Sequence, residues 1–138
     1  MRLWHYKLIP YLPKDMLVSQ WRECIAIKRQ WEKGTLKHRL VSYVQEYNDN
    51  LYLYYVKCVA EEMYLRGIKY QTKFYKEISD FCGRVYLADY YPEHNDRYLK
   101  QCYYNLQEKY DRGIITEEEW RKIADLYAIE TLGLDDET

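Results

Sequence analysis

Apolar residues recur along this chain at three- and four-residue spacing, and no stretch sustains alternation at every second position, so the pattern predicts helices and no sheet. From about Lys14 to Lys33, Leu17, Trp21, Cys24 and Ile25 form one helical stripe, and Gly34 closes the helix. On another side of that helix Glu23 shares a stripe with Ser19, Gln20, Ala26, Ile27 and Gln30. A shorter helix is predicted from Leu36 to Tyr47, ended by Asn48-Asp49-Asn50. Leu51 to Arg66 is apolar nearly all round and stops at Gly67, the signature of the central helix of a bundle. Phe74, Ile78 and Phe81 predict a short helix broken by Gly83, and Tyr86 to Pro92 reads as an aromatic loop. Asn95 or Asp96 then caps a helix with the stripe Leu99, Cys102, Tyr103, Leu106 and Tyr110, ending at Gly113. Thr116 and Glu119 have the spacing of a capping box for a last helix that turns Trp120, Ile123, Ala124 and Tyr127 inward.

The two ends read differently. Residues 1–13 carry Trp4, Tyr6, Leu8, Ile9, Tyr11 and Leu12, but Pro10 and Pro13 prevent a continuous helix, which predicts an extended arm packing its aromatic rings. Residues 133–138 form an acidic tail. The expected fold is all-α: a compact bundle of five to six helices forming a single domain over residues 1–138, with an extended N-terminal arm.

Composition is globular, and its unusual feature is 18 Tyr and 4 Trp against 2 Phe. Much of the core must therefore find partners for hydroxyl and indole N–H groups, and many rings should sit at its rim or face a ligand. Cys24, Cys58, Cys82 and Cys102 are dispersed without a C-x-x-C pair or nearby paired histidines, which predicts buried thiols in a reducing cytoplasm and no metal site. His5, His38 and His94 are isolated in sequence and read as surface or hydrogen-bonded side chains. The absence of a leader pattern and of any run near ~18 apolar residues predicts a soluble protein without a membrane partner. No phosphate-cradling glycine loop, G-x-S-x-G, H-E-x-x-H or calcium loop is present.

Charge is the first feature that points to a partner. The net charge is −1, yet residues 1–40 hold nine Lys/Arg against Asp15, Glu23 and Glu32, a balance of +6 that leaves −7 for the rest. Such asymmetry suits a protein that docks one face on phosphate. The expected basic face comprises Arg2, Arg22, Lys37, His38 and Arg39.

Four segments carry a resemblance: Met1-Arg2-Leu3-Trp4, the Leu-Val-x-x-Trp-Arg-Glu run at 17–23, Glu62-Met63-Tyr64-Leu65-Arg66-Gly67, and Tyr90-Tyr91-Pro92-Glu93-His94 before a long helix. Together they resemble the pyrimidine-dimer DNA glycosylase family, the endonuclease V type known from a phage enzyme, over roughly residues 1–110. Trp21-Arg22-Glu23 is the most specific part. The last helix and acidic tail differ from the basic, aromatic C-terminus of the phage enzyme, and Ala26 stands where that enzyme has an arginine.

The resemblance implies a compact all-α fold, no cofactor, and a double-stranded DNA partner with a damaged or abasic nucleotide. It implies a bifunctional glycosylase and abasic-site lyase in which the N-terminal amine, here that of Met1, attacks the sugar C1′. A helix glutamate, here Glu23, stabilises the cationic sugar and assists strand nicking. Arg2 and Arg22 would contact phosphate, and the bulk of Arg2 should keep Met1 in place. The chemistry is coherent, because an α-amine is a weaker base than a lysine amine and a usable nucleophile near neutral pH. A carboxylate is the expected partner of a developing cation, and a stacked nucleotide must be extruded before attack. Two other readings fit the same residues: a DNA-binding relative without the chemistry, and a helical protein-interaction domain, which the acidic second half favours.

Overall fold

The computed structural model describes residues 1–83 and 89–133. The described residues are all-helical, with five α-helices among them: α1 Lys14–Glu32, α2 Asp49–Leu65, α3 Thr72–Cys82, α4 Asp96–Asp111 and α5 Glu117–Leu132. Two 3-10 segments, Tyr6–Tyr11 and Ser42–Glu46, precede α1 and α2 respectively. Residues 86–88 of the expected aromatic loop and residues 134–138 of the expected acidic tail lie outside the described residues.

α2 is the central element that its apolar circumference predicted. It packs on α1, α3 and both 3-10 segments, and buries Tyr52, Leu53, Tyr55, Val56, Val59, Ala60 and Met63. It starts two residues earlier than the apolar run suggested, because the Asn48 side chain accepts from Asn50 N at 2.9 Å and caps it. α4 and α5 pair with each other, and α5 also touches the first 3-10 segment, tying this hairpin to the rest. Thr116 and Glu119 form the full capping box, and Asn95 caps α4 by accepting from Tyr98 N.

Two sequence expectations change. The predicted helix from Leu36 to Tyr47 shrinks to the 3-10 segment Ser42–Glu46. Side chains divert the backbone there: Gln45 Nε2 donates to the Leu36 carbonyl at 2.9 Å and His38 Nδ1 accepts from Leu40 N at 3.3 Å. The buried residues Leu36, Val41 and Val44 anchor this connection. The N-terminal arm, in turn, has no regular element over residues 1–5 and then coils through Tyr6–Tyr11 with Pro10 inside the turn. Arg66 at the end of α2 holds the coil, donating to the carbonyls of Leu12 at 2.6 Å and Pro10 at 2.9 Å.

The arm is part of the core. Leu3, Leu8, Ile9 and Leu12 are almost completely buried together with Leu17, Ile27, Val56 and Leu99. Cys24, Cys82 and Cys102 are buried thiols as expected, whereas Cys58 is only half-buried beside Tyr54 and Tyr90. Burial pushes the Cys82 thiol up to about 12. Among the described residues no helix is long and apolar enough to cross a membrane.

Candidate functional site

The N-terminus is fixed by one buried amide. Positions 17, 20, 24 and 27 repeat at helical spacing, so Gln20 occupies a core position of α1 between Leu17 and Cys24, and it is 1% exposed. A buried amide must satisfy its polar atoms, and Gln20 does so on the arm. Its Oε1 accepts from Trp4 N at 2.8 Å, and its Nε2 donates to the Arg2 carbonyl at 2.9 Å. The second Nε2 proton points to Glu23 Oε2 at 3.3 Å, one turn further along α1. The first peptide groups of the chain and the Glu23 carboxylate therefore share a single donor nitrogen.

Two tyrosines complete the attachment. The Tyr55 hydroxyl, from α2, donates to the Trp4 carbonyl at 2.6 Å and lies 3.1 Å from Gln20 Oε1. The Tyr98 hydroxyl, from α4, donates to the Leu3 carbonyl. Three helices thus hold residues 2–4 by their backbone, leaving the side chains of Met1 and Arg2 half-buried at the rim. The Arg2 guanidinium lies 5.1 Å from the centre of the Trp4 ring, a cation–π contact.

Glu23 is half-buried, and its hydrogen bond from Gln20 places it beside the arm. Among the described residues no ion pair within 4.0 Å includes either Glu23 or the Met1 amine, although α1 carries many cations. The carboxylate is therefore not consumed by a salt bridge along its own helix.

The basic residues divide into two groups. Lys7 pairs with Glu130 at 2.6 Å, and Arg29 meets Glu77 through a two-pronged contact at 3.0 Å. Lys28, only 4% exposed, lies between Glu32 at 3.0 Å and Glu77 at 3.3 Å. Hydrogen bonds from Arg29 and Lys28 pull the Glu77 carboxyl down to about 2. Carboxylates from distant segments thus neutralise three of the nine cations that the sequence placed in residues 1–40. The remaining candidates make no ion pair among the described residues. Arg22 is exposed beside Glu23, and Arg2 is half-buried at the terminus. Lys37, His38 and Arg39 are exposed on the connection after α1. Arg22 precedes the end of α1 by ten residues, which separates it along the axis from that connection by about 15 Å.

Sequence spacing gave no sign of the aromatic and histidine cluster behind the arm. His5 and His94, 89 positions apart, approach to 5.4 Å between ring centres and are both buried. His94 Nδ1 accepts from Tyr6 N at 3.2 Å, so its proton resides on Nε2, which faces the Tyr43 hydroxyl at 2.8 Å. Burial drives His94 down to about 3 and His5 down to about 4, keeping both rings neutral. Tyr6 stacks on Tyr90 at 3.5 Å, extending the cluster to the surface. Among the described residues no group of three His, Cys, Asp or Glu side chains is arranged to hold a metal ion.

The fold and site together define an all-helical protein whose N-terminal backbone is bound to a helix carrying adjacent arginine and glutamate residues. The family model for pyrimidine dimer DNA glycosylase matches residues 1–76, more than half of the chain, and the chain belongs to that family. The matched residues comprise the arm, α1, both 3-10 segments, α2 and the first turn of α3, and so contain Met1, Arg2, Gln20, Arg22, Glu23, Lys37, His38 and Arg39, but not Tyr98. The match stops short of residue 110, so the Tyr90–His94 segment, α4 and α5 lie beyond it. No curated protein and no solved structure matches the chain.

Proposed function

We propose that this protein is a DNA repair glycosylase with abasic-site lyase activity, in which the Met1 amine is the nucleophile and Glu23 the assisting carboxylate. The observation that carries this reading is the Gln20 amide, which hydrogen-bonds both the Arg2 carbonyl and Glu23 Oε2. The Arg2 carbonyl and the Glu23 carboxylate, 21 positions apart in sequence, thereby share one donor nitrogen, and the carboxylate stands outside any ion pair among the described residues.

In the reaction, the neutral amine adds to C1′ of an extruded nucleotide, the glycosidic bond breaks, and the base leaves with a proton. The secondary amine keeps its remaining proton; its lone pair displaces the ring oxygen from C1′, O4′ takes a proton from solvent, and the cationic iminium adduct results. Glu23, negatively charged beside it, stabilises this cation and accepts the C2′ proton, so that the C3′–O bond breaks and the 3′ phosphate departs. Arg2 and Arg22 meet phosphates flanking the extruded nucleotide, and Lys37, His38 and Arg39 meet the duplex further along. The substrate is double-stranded DNA with a damaged or abasic nucleotide, pyrimidine dimers being the lesion suggested by the family.

Borohydride reduction on an abasic-site duplex tests this directly. The expected result is a covalent protein–DNA adduct that maps to Met1 and disappears when the α-amine is acetylated. A wild-type protein that binds abasic duplex but yields neither adduct nor nick would favour the non-catalytic DNA-binding reading instead.

A further inference from the structure

We infer that Gln20 is a positioning residue for the proposed reaction: its side chain sets the distance and orientation between the terminal amine and Glu23. This inference rests on the Met1–Glu23 reading above.

A glutamine in the core of a helix is costly unless every polar atom is engaged, and an apolar residue would pack at least as well between Leu17 and Cys24. Gln20 has both amide protons and its oxygen engaged, and none of the three bonds goes to its own helix backbone. Two bind the arm on either side of Leu3, at the Arg2 carbonyl and the Trp4 amide, so the strand leading to Met1 cannot slide along α1 or rotate without breaking one of them. The third bond fixes the carboxylate.

The network also fixes the orientation of the amide. Reversing it would set the NH2 group against the Trp4 N–H, and the oxygen against the Arg2 carbonyl and the Glu23 carboxylate. The reacting pair is therefore held by a rigid, buried intermediary rather than by mutual contact, which leaves both groups free for the sugar. Alignment of this kind is where positioning residues contribute to rate, since small misplacements of reacting groups are expensive.

The tether itself is checked by hydrogen exchange at the Trp4 amide, which should be protected in the wild type and exchange at least tenfold faster in Gln20→Met. The functional test measures single-turnover borohydride trapping and duplex affinity for wild type, Gln20→Met and Arg66→Met. The last removes bonds that hold the 3-10 coil at Pro10 and Leu12, away from Met1 and Glu23, and controls for general loosening. We expect Gln20→Met to trap at least tenfold more slowly with duplex affinity within threefold, while Arg66→Met traps within threefold of wild type.

Should Gln20→Met fail to fold, Gln20→Asn keeps the amide but shortens its reach, and the same loss of trapping rate is expected. Trapping by the Gln20 variants at the wild-type rate would overturn this inference and leave the enzymatic reading intact. Equal slowing in Arg66→Met would also overturn it. A wild type that traps nothing overturns the enzymatic reading and this inference with it.

Discussion

Acidification should loosen the protein from the arm outward, and His94 sets the scale. Its ring is buried, accepts from Tyr6 N through Nδ1 and faces the Tyr43 hydroxyl through Nε2, with His5, Tyr91 and Tyr98 around it. Protonating Nδ1 removes the acceptor for Tyr6 N and places a cation in a site lined by rings. The folded form holds His94 at about 3, below the ordinary value of 6.5, so the unfolded chain binds the proton first. Stability from this group is thus fully present above pH 6.5 and is lost as the pH falls towards 3. The slope approaches about 1.4 kcal/mol per pH unit, which amounts to about 2 kcal/mol by pH 5. His5, held down to about 4 by burial, adds a loss of the same sign. Glu77, held at about 2 by Arg29 and Lys28, loses its contribution only below about pH 4.5, so above pH 5 it leaves the histidine effect unmixed. Urea unfolding followed by circular dichroism at pH 7.5, 6 and 5 measures the effect in the wild type and in His94→Gln. The variant should be less stable at pH 7.5 and show a shallower pH dependence. Equal wild-type stability at pH 7.5 and 5, or an unchanged slope in the variant, would refute the assignment of buried neutral histidines.

Three further outcomes are expected. Glu23→Gln, which keeps size and reach but removes the charge and proton acceptor, should bind abasic duplex as tightly as the wild type or tighter, while nicking falls by about 10²-fold in single-turnover assays. Arg22→Ala should weaken binding to all duplexes and reduce the slope of log affinity against log salt by about 1, as measured by fluorescence anisotropy across a salt series. Glu77→Gln should lower stability by about 1–3 kcal/mol in urea unfolding, because the buried Lys28 ammonium and Arg29 lose their common carboxylate, and Glu32, more than half exposed, compensates only in part.

Apart from the helix expected over Leu36–Tyr47, the helices and most of their ends were legible in the sequence because their causes are local. Apolar spacing marks the buried face of α4, and the Thr116–Glu119 box starts α5 within four residues. Gly34 closes α1 at a φ of +73°, where a side chain would be strained. The run Trp21-Arg22-Glu23 divides along the same local logic, Trp21 entering the core while Arg22 and Glu23 point away from it.

Which polar residues are buried, and which charges stay free, depended on partners far along the chain. Gln20 reads as one more polar position on the Glu23 stripe until Trp4 and Tyr55 surround it, from 16 and 35 positions away. Lys28 and Arg29 count towards a basic segment until Glu77, nearly fifty positions on, neutralises them. His5 and His94 are unremarkable singly and become a buried pair only when the arm lies along the start of α4. Local pattern fixes the backbone's hydrogen bonding because those partners are three or four residues apart. A buried amide, ammonium or imidazole is tolerated only by partners that tertiary packing supplies, and those partners also bring the terminal segment to Glu23.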